Sequence, residues 1–314
     1  MPSAQGTDHG IHDDQYPMPM ARVAVRVLLE FALSALRATT ILCKGQFETG
    51  IFLVILLREA QSFDAGSGAV PEGVSVNALA ASFGKPFETV RRHVNRLIEL
   101  GICRRAPKGV AFSPEPEMRG ATDAFLVEVH DLTLRLFEDL HALEYPVPPG
   151  GGSASFDQVT QGGLDLLVQC CDIGTQLHEV WIRMYLYYGV MTANARSITF
   201  DRDLAHRYSD SRTPPPEAVR RPVSARMLSR ALGLPYSTVR RHLAHMERIG
   251  QIFRLKGGWM LTMEWMQKPE ILASGHMVCR KIDAMLAHAS RMDFPLGDPA
   301  AFYRRGRPGL LEFA

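Results

Sequence analysis

Apolar positions along the chain mostly recur with a helical period, and one such pattern occurs twice. Residues 74–109 align with residues 223–258 without a gap, at an offset of 149 residues. The identities include the run Thr-Val-Arg-Arg-His, which begins at Thr89 and again at Thr238. Internal similarity at a fixed offset indicates repeated structural units, so the sequence predicts a tandem duplication.

The similarity continues more weakly on both sides of the repeated block. Upstream the offset is 131 residues, as in Glu48 with Glu179, and downstream it is 149, as in Val129 with Val278. The difference places an 18-residue insertion in the second copy, and the prolines and charges of residues 195–222 predict a loop there. Each half is predicted to contain two helices, a helix-turn-helix, a β-hairpin and a long helix. The longest predicted helices cover residues 21–42, 123–143, 164–191 and 270–291.

The repeated block has the residue order of a helix-turn-helix. Ser75 and Ser224 are well suited to cap a short helix. That helix ends at Gly84 or Gly233, and a proline follows two residues later, where it fits the first turn of the next helix. Two helices joined by a tight turn that contains glycine are typical of this motif.

The second helix of each block separates apolar from polar residues around its axis. Its predicted apolar face contains Val90, Val94 and Leu97 in the first copy and Val239, Leu243 and Met246 in the second, with Phe87 and Tyr236 at the edge. Arginine pairs with guanine and asparagine with adenine, so we expect the opposite faces to contact DNA bases. The candidate contacts are Arg91, Arg92, Asn95, Arg96, Ser237, Arg240, Arg241, His245 and Arg248. At the boundary, His93 and His242 are predicted to pack and hydrogen-bond locally.

Short β-like segments follow Gly101 and Gly250, each pair of them around a basic turn. A hairpin with Lys or Arg at its tip is typical of a wing, which contacts phosphate or the minor groove. The candidate wing contacts are Arg105, Lys108, Arg254 and Lys256.

In this order of elements, the chain resembles the winged helix-turn-helix transcription regulators. Each half resembles the MarR type, in which a long helix follows the wing. The resemblance is specific over the two 36-residue blocks, residues 74–109 and 223–258, and covers most of both halves in architecture. It implies a mainly α fold class, with two winged helix-turn-helix domains, small β-hairpin wings and long packing helices.

The predicted organisation has two structured halves. Residues 20–144 form the first winged-helix half and residues 158–295 the second, with a linker at residues 145–157. Residues 1–19 are predicted to be a disordered tail, and residues 296–314 a basic C-terminal tail.

The distribution of charge favours double-stranded DNA as a partner. The chain has 35 basic and 33 acidic residues, and its net charge of +2 alone favours no partner. The second block, however, has seven Lys or Arg residues and a single acid, Glu247. The predicted helix over residues 123–143 is acidic on its outer face instead. Positive charge is therefore concentrated where phosphates would bind.

Residues 304–309, Arg-Arg-Gly-Arg-Pro-Gly, resemble the core of an AT-hook, which lies in the minor groove of A·T-rich DNA. The resemblance implies DNA contacts by Arg305 and Arg307. The segment departs from the AT-hook pattern because Arg304 replaces the usual proline and apolar residues follow. The alternative is an ordinary solvated tail.

The remaining patterns predict no catalytic residues, no cofactor and no metal site. The chain lacks a phosphate-binding glycine loop, an H-E-x-x-H motif and a G-x-S-x-G motif, so we do not expect an enzyme. The aromatic and Met-rich residues 180–191 predict either plain core or a pocket for a small-molecule effector. Five cysteines without a framework, no signal peptide and no long apolar run predict a cytoplasmic, nucleoid-associated protein with no membrane partner.

The sequence thus predicts a sequence-specific transcription regulator that binds double-stranded DNA with two heads from one chain. Two alternatives remain open, a plasmid or phage replication initiator and a winged-helix scaffold that binds protein. Because the flanking helices repeat with the heads, we expect the halves to pack as a single-chain pseudo-dimer. The recognition faces differ, with Glu88 aligned to Ser237, which predicts two unlike half-sites. The large apolar helical surface also predicts a homodimer.

Overall fold

The computed structural model describes residues 19–60, 73–82, 84–150, 155–294 and 296–313. These residues are mainly helical, with two antiparallel two-stranded sheets. The first half contains α1 (Ala21–Leu42), α2 (Phe47–Ala60), α3 (Val76–Ser82), α4 (Phe87–Glu99), β1 (Cys103–Ala106), β2 (Gly109–Phe112) and α5 (Pro116–Ala142). The mainly α fold class with two small β-hairpins is confirmed.

The second half has the same order of elements with two short helices added. It contains α6 (Phe156–His178), α7 (Trp181–Thr199), α8 (Arg202–Arg207), α9 (Ala225–Leu232), α10 (Tyr236–Arg248), β3 (Ile252–Leu255), β4 (Gly258–Leu261), α11 (Met263–Met266) and α12 (Pro269–Arg291). Short 3-10 helices cover Glu217–Val219 and Pro299–Phe302.

Within the repeated blocks, the two copies have the same strand register. β1 pairs with β2 and β3 with β4, each through two-stranded antiparallel ladders whose partners correspond after the 149-residue offset. An additional bridge joins Val74 to Val110 in the first copy and Val223 to Trp259 in the second. The helices α4 and α10 each span 13 residues and begin at aligned positions. The aligned residues therefore occupy equivalent places in both copies.

The prediction of one helix over residues 164–191 is wrong, because this stretch belongs to α6 and α7. α6 ends at His178, and Glu179 has a φ of 58°, which turns the chain before Trp181 begins α7. The apolar pattern continues through the break without a glycine or proline, so periodicity alone favoured a single helix. The equivalent break between α1 and α2 does contain a glycine, Gly45, with a φ of 86°.

The insertion in the second half contains α8 and a 3-10 helix, whereas residues 208–216, with the three consecutive prolines, form the predicted loop. Asp201 caps α8 with its side chain. From α1, Arg22 Nη2 donates to the carbonyl of Ser211 at 2.7 Å, and Arg26 Nη1 donates to the carbonyl of Tyr208 at 2.9 Å. Burial, and secondarily the nearby Arg22, lowers the pKa of Arg26 to about 10. The insertion of the second half is therefore anchored on the first helix of the chain.

The two halves share one hydrophobic core, and the helix contacts between them come in reciprocal pairs. α1 packs on α7, and α2 packs on α6. Likewise, α5 packs on α6, and α12 packs on α1. The counterparts of α1, α2 and α5 in the second half are α6, α7 and α12. Exchanging each helix for its counterpart reproduces the same set of contacts, which is the property of an isologous two-fold interface. The halves thus pack on each other as two subunits of a dimer would.

The described part of the predicted linker is packed against the second half. Tyr145 is buried, and its hydroxyl donates to Asp283 Oδ1 at 2.7 Å. Ser290 Oγ donates to the carbonyl of Pro149 at 2.5 Å. Residues 151–154 lie outside the described part of the chain, as do residues 1–18 of the predicted N-terminal tail.

No single helix of the described residues is long and apolar enough to cross a membrane. α1 and α2 meet that criterion only as a pair, which is bent by 104°. The apolar side chains of α1, such as Leu28, Leu33 and Leu36, are buried in the shared core. Packing inside the protein therefore accounts for the apolar character of α1.

Candidate nucleic-acid interface

α4 and α10 each bury one face and leave the opposite face in solvent. Each begins after a proline, Pro86 or Pro235, with a φ of −56° or −57°, the value that the proline ring fixes. The predicted apolar faces are buried, namely Val90, Val94 and Leu97 on α4 and Val239, Leu243 and Met246 on α10. Their burial fixes the rotation of both helices, and this rotation points the arginine faces outward.

The structure brings most of the predicted contacts to the surface around these two helices and their hairpins. The exposed ones are Arg91, Arg92, Arg105, Lys108, Ser237, Arg240, Arg241, Arg248, Arg254 and Lys256. The half-buried ones are Asn95, Arg96 and His245. Arg305 and Arg307 are exposed as well, but they belong to the C-terminal segment, which packs against α5 and not beside α4 or α10.

On α4, acidic neighbours already engage two of the predicted arginines. Arg91 donates through Nε to Glu88 Oε2 at 2.8 Å, and Arg96 donates through Nη1 to Glu99 Oε2 at 2.8 Å. The hydrogen bond with Arg91 lowers the pKa of the Glu88 carboxyl. Arg105 of β1 donates to Asn95 Oδ1 at 3.2 Å, which joins the first hairpin to the helix. The face of α4 is thus partly neutralised within itself.

On α10, the arginine that aligns with Arg91 has a different neighbour. Ser237 replaces Glu88, so the aligned acid is missing, and the Arg240 guanidinium lies 5.9 Å from the centre of the Tyr236 ring instead. A cation over an aromatic ring keeps its full charge. The two faces therefore differ in charge as well as in residue type.

His245, which was predicted as a DNA contact, is half-buried and hydrogen-bonded to another helix. Its ring hydrogen-bonds to Arg183 of α7, which also forms an ion pair with Glu179. The residue lies on the side of α10 that packs on α7, and its ring is therefore only half exposed. His245 therefore helps to attach α10 to α7.

The hairpins are fixed against the chain that precedes α3 and α9. Gly109 and Gly258 have φ values of 144° and 151°, and a Cβ atom at either would lie 2.2 Å from the backbone oxygen of Val74 or Val223. Only glycine permits this close approach and this backbone conformation. Each hairpin is consequently held in a fixed position next to the basic helix, with Lys256 exposed at the tip of the second hairpin.

The two boundary histidines pack locally, as predicted. His93 is buried, its Nδ1 lies 2.9 Å from Thr49 Oγ1, and its ring stacks on Phe52 at 4.8 Å. His242 is half-buried, and burial, followed by the nearby Arg241, lowers its pKa. No group of three or more potential metal ligands occurs among the described residues.

A third histidine, His178, connects α6 to the second basic block and makes stability depend on pH. It is 4% exposed, its Nδ1 lies 3.2 Å from Gln251 Nε2, and its ring centre is 4.5 Å from that of Tyr187. Burial, and secondarily Arg183, lowers its pKa from 6.5 to about 4. The folded state therefore keeps His178 neutral at pH values where the unfolded chain is already protonated.

Because of His178, we expect the free energy of unfolding to fall by about 2 kcal/mol when the pH is lowered from 7.5 to 5. The contribution of neutral His178 to the free energy of unfolding is fully present above pH 6.5. It is lost as the pH falls from 6.5 toward 4, because only the unfolded chain binds the proton in this range. Urea unfolding of the parent and of His178→Gln at both pH values measures this contribution. The variant should lose less stability on acidification, while the exposed control His141→Gln should follow the parent. Equal pH dependence in parent and His178→Gln would show that His178 is not the group responsible.

The C-terminal segment is folded onto α5 and does not form the extended tail that the AT-hook resemblance implies. Asp131 accepts hydrogen bonds from the backbone N–H groups of Arg304 and Arg305 at 2.9 and 2.8 Å. Arg307 donates to Glu138 Oε2 at 2.9 Å and to Asp139 Oδ1 at 2.5 Å. The acidic face predicted for residues 123–143 is thus covered by the basic segment. The sequence indicated both charges but not that they pair with each other.

Two aromatic residues beside the arginines are more exposed than their predicted place at the edge of the apolar faces indicated. Phe87 and Tyr236, the first residues of α4 and α10, are each 46% exposed, although the angular pattern placed them at the edge of the buried faces. Their positions at the helix start turn them away from the core. In the sequence, the only indication of these exposed residues was that an aromatic residue recurs at aligned positions.

Comparison with known proteins identified no similar protein. The chain matches no family model, no curated protein and no solved structure.

Proposed function

We propose that the protein is a sequence-specific transcription regulator that binds double-stranded DNA with two winged helix-turn-helix heads. The observation that carries this proposal is a pair of equivalent surfaces, each composed of an outward arginine face and an adjoining basic hairpin. One helix in the major groove and a hairpin on the backbone is the way in which winged helices bind duplex DNA.

The local geometry supports the assignment of both heads. α3 and α9 are short, and each is followed by a glycine in the left-handed region, Gly84 with a φ of 55° and Gly233 with a φ of 66°. The next helix begins three residues later, which is the tight turn of a helix-turn-helix. β1–β2 and β3–β4 then occupy the place of the wings.

Arg92 and Arg241 are the best candidates for base contacts. They are aligned, exposed and located in the first half of their helices, the part that enters the groove in helix-turn-helix proteins. Arg105, Lys108, Arg254 and Lys256 would contact phosphates from the hairpins. Such contacts add affinity for every sequence and make binding depend on salt.

Fluorescence anisotropy with labelled duplexes, before and after selection from random sequences, tests this proposal. We expect selected duplexes to bind at least about a thousandfold more tightly than unselected ones at physiological salt, with affinity that falls as salt rises. Salt-independent binding, or equal affinity for all duplexes, would contradict a sequence-specific regulator. Genomic pull-down with the same protein then separates promoters, which the proposal expects, from a single replication origin.

A further inference from the structure

A cavity lies between α1 of the first half and α6, α7 and α12 of the second. Its volume is about 80 Å³. Most of its wall is apolar, and the residues that define it include Val25, Leu28, Ile173, Tyr188, Met191 and Gly275. Tyr187, Tyr188 and Met191 come from the aromatic stretch at residues 180–191, whereas Trp181, Met184 and Tyr185 of the same stretch are buried elsewhere in the core.

At the level of the cavity, the two halves carry side chains of different size. At the 149-residue offset, α12 has Ser274 and Gly275 where α5 has Phe125 and Leu126. Phe125 and Leu126 are buried, 5% and 4% exposed, so the first half fills this level of the interface with large side chains. A Cβ atom at Gly275 would meet only Val25 Cγ2, at 3.8 Å, which is ordinary contact. The second half therefore leaves open space where the first half is packed.

One permanently charged group, Arg22, stands in the wall of this cavity. Its Nε and Nη2 donate to the carbonyls of Asp210 at 3.0 Å and Ser211 at 2.7 Å. These two bonds use part of the five N–H donors of a guanidinium. The pKa of Arg22 is lowered, chiefly by burial, in spite of the nearby Asp210. Arg22 is half-buried, and both of its hydrogen bonds go to neutral carbonyls, so it gains from an anionic ligand.

Two other polar residues of the wall, Tyr188 and Ser274, hydrogen-bond inside the protein. Tyr188 donates its hydroxyl to the carbonyl of Cys170 at 2.8 Å, and Ser274 donates its hydroxyl to the carbonyl of Ile271 at 2.8 Å. They contribute shape more than charge. The wall therefore combines an apolar recess with a cation at Arg22.

We propose that this cavity binds a small amphipathic carboxylate, one molecule per chain, with its apolar end in the recess and its carboxylate at Arg22. The recess is roughly half as large as a cavity that admits benzene, so it suits an apolar end of about three or four carbon atoms. The equivalent level in the first half is filled by Phe125 and Leu126 and binds none. This inference concerns the protein without DNA and does not depend on the proposed function.

Saturation-transfer NMR and calorimetry with 3-methylbutanoate test the site, with 3-methylbutan-1-ol as the neutral probe of the same shape. We expect the carboxylate to bind about tenfold or more tightly than the alcohol, because a hydrogen bond to a charged group is stronger than a neutral one. The stoichiometry should be one. Tight binding of both probes alike would overturn the role of Arg22, and no saturable binding of either would overturn the site.

Gly275→Leu is the decisive variant, because it places in α12 the residue that α5 carries at the aligned position. It should abolish binding of 3-methylbutanoate, whereas Gly275→Ala, whose Cβ fits at ordinary distance, should keep most of it. Replacing a helical glycine raises helix propensity, so both variants should unfold at or above the parent's temperature. Unchanged binding by a folded Gly275→Leu protein would place the probe elsewhere and refute the proposal.

Discussion

Arg196→Ala should lower the free energy of unfolding by about 3 kcal/mol, because it leaves the carboxylate of Glu30 buried without its ion-pair partner. Glu30 is in α1, is 3% exposed and accepts a hydrogen bond from Arg196 Nε of α7 at 2.9 Å. Burial raises the pKa of Glu30, which the contacts with Arg196 oppose. Arg196 also hydrogen-bonds to the carbonyl of Leu311 and lies 4.9 Å from the centre of the Phe313 ring. A single side chain thus joins both halves and the C-terminal segment.

Urea unfolding with two controls measures this effect. Arg202 forms an ion pair with Glu144 in which both side chains are more than half exposed, so Arg202→Ala should change stability by less than about 1 kcal/mol. In a Glu30→Gln background, Arg196→Ala should cost clearly less than in the parent, because no buried charge is left behind. If Arg196→Ala is no more harmful than Arg202→Ala, the ion pair does not hold the halves together.

Arg240→Ala should weaken binding to a selected duplex more than Arg91→Ala, although the two residues are aligned. Arg91 must first give up its hydrogen bonds to Glu88, whereas Arg240 has Ser237 at the aligned position. For the outward pair, Arg92→Ala and Arg241→Ala should each cost about 1–3 kcal/mol of discrimination between bases, which is roughly five- to 150-fold in relative affinity. The double variant should bind all duplexes nearly alike.

Anisotropy titrations of the selected duplex and of single-base variants check these values. Thermal unfolding of each variant serves as the control for folding, and exposed arginines on a helix surface should change it little. If both Arg92→Ala and Arg241→Ala discriminate between bases as the parent does, α4 and α10 are not the recognition helices.

Much of the fold follows from patterns within single helices and turns. The 3.6-residue period gave the buried residues of α4 and α10, and the prolines before them marked their starts. Glycines at aligned positions, such as Gly84 and Gly233, indicated the turns. These features are local, so one sequence is enough to predict them.

The features that sequence analysis missed depend on contacts between distant segments. The break at Glu179 has no glycine or proline to mark it, because packing of α6 and α7 on the other half sets its position. Pairing of Arg307 with Glu138 and Asp139 joins residues more than 160 positions apart. The hydrogen bond between His245 and Arg183 joins two different helices. Periodicity contains no information about such partners.

The central claim is that one chain carries two unlike reading heads, related as the subunits of a dimer are. It is tested most directly by the mass and the symmetry of the complex that forms on a duplex selected from random sequences. We predict an asymmetric site with two different half-sites about one helical turn apart, roughly 34 Å, occupied by one chain in native mass spectrometry. A doubled asymmetric site occupied by two chains would agree as well. A symmetric palindrome bound by two chains, each through a single head, would contradict the account.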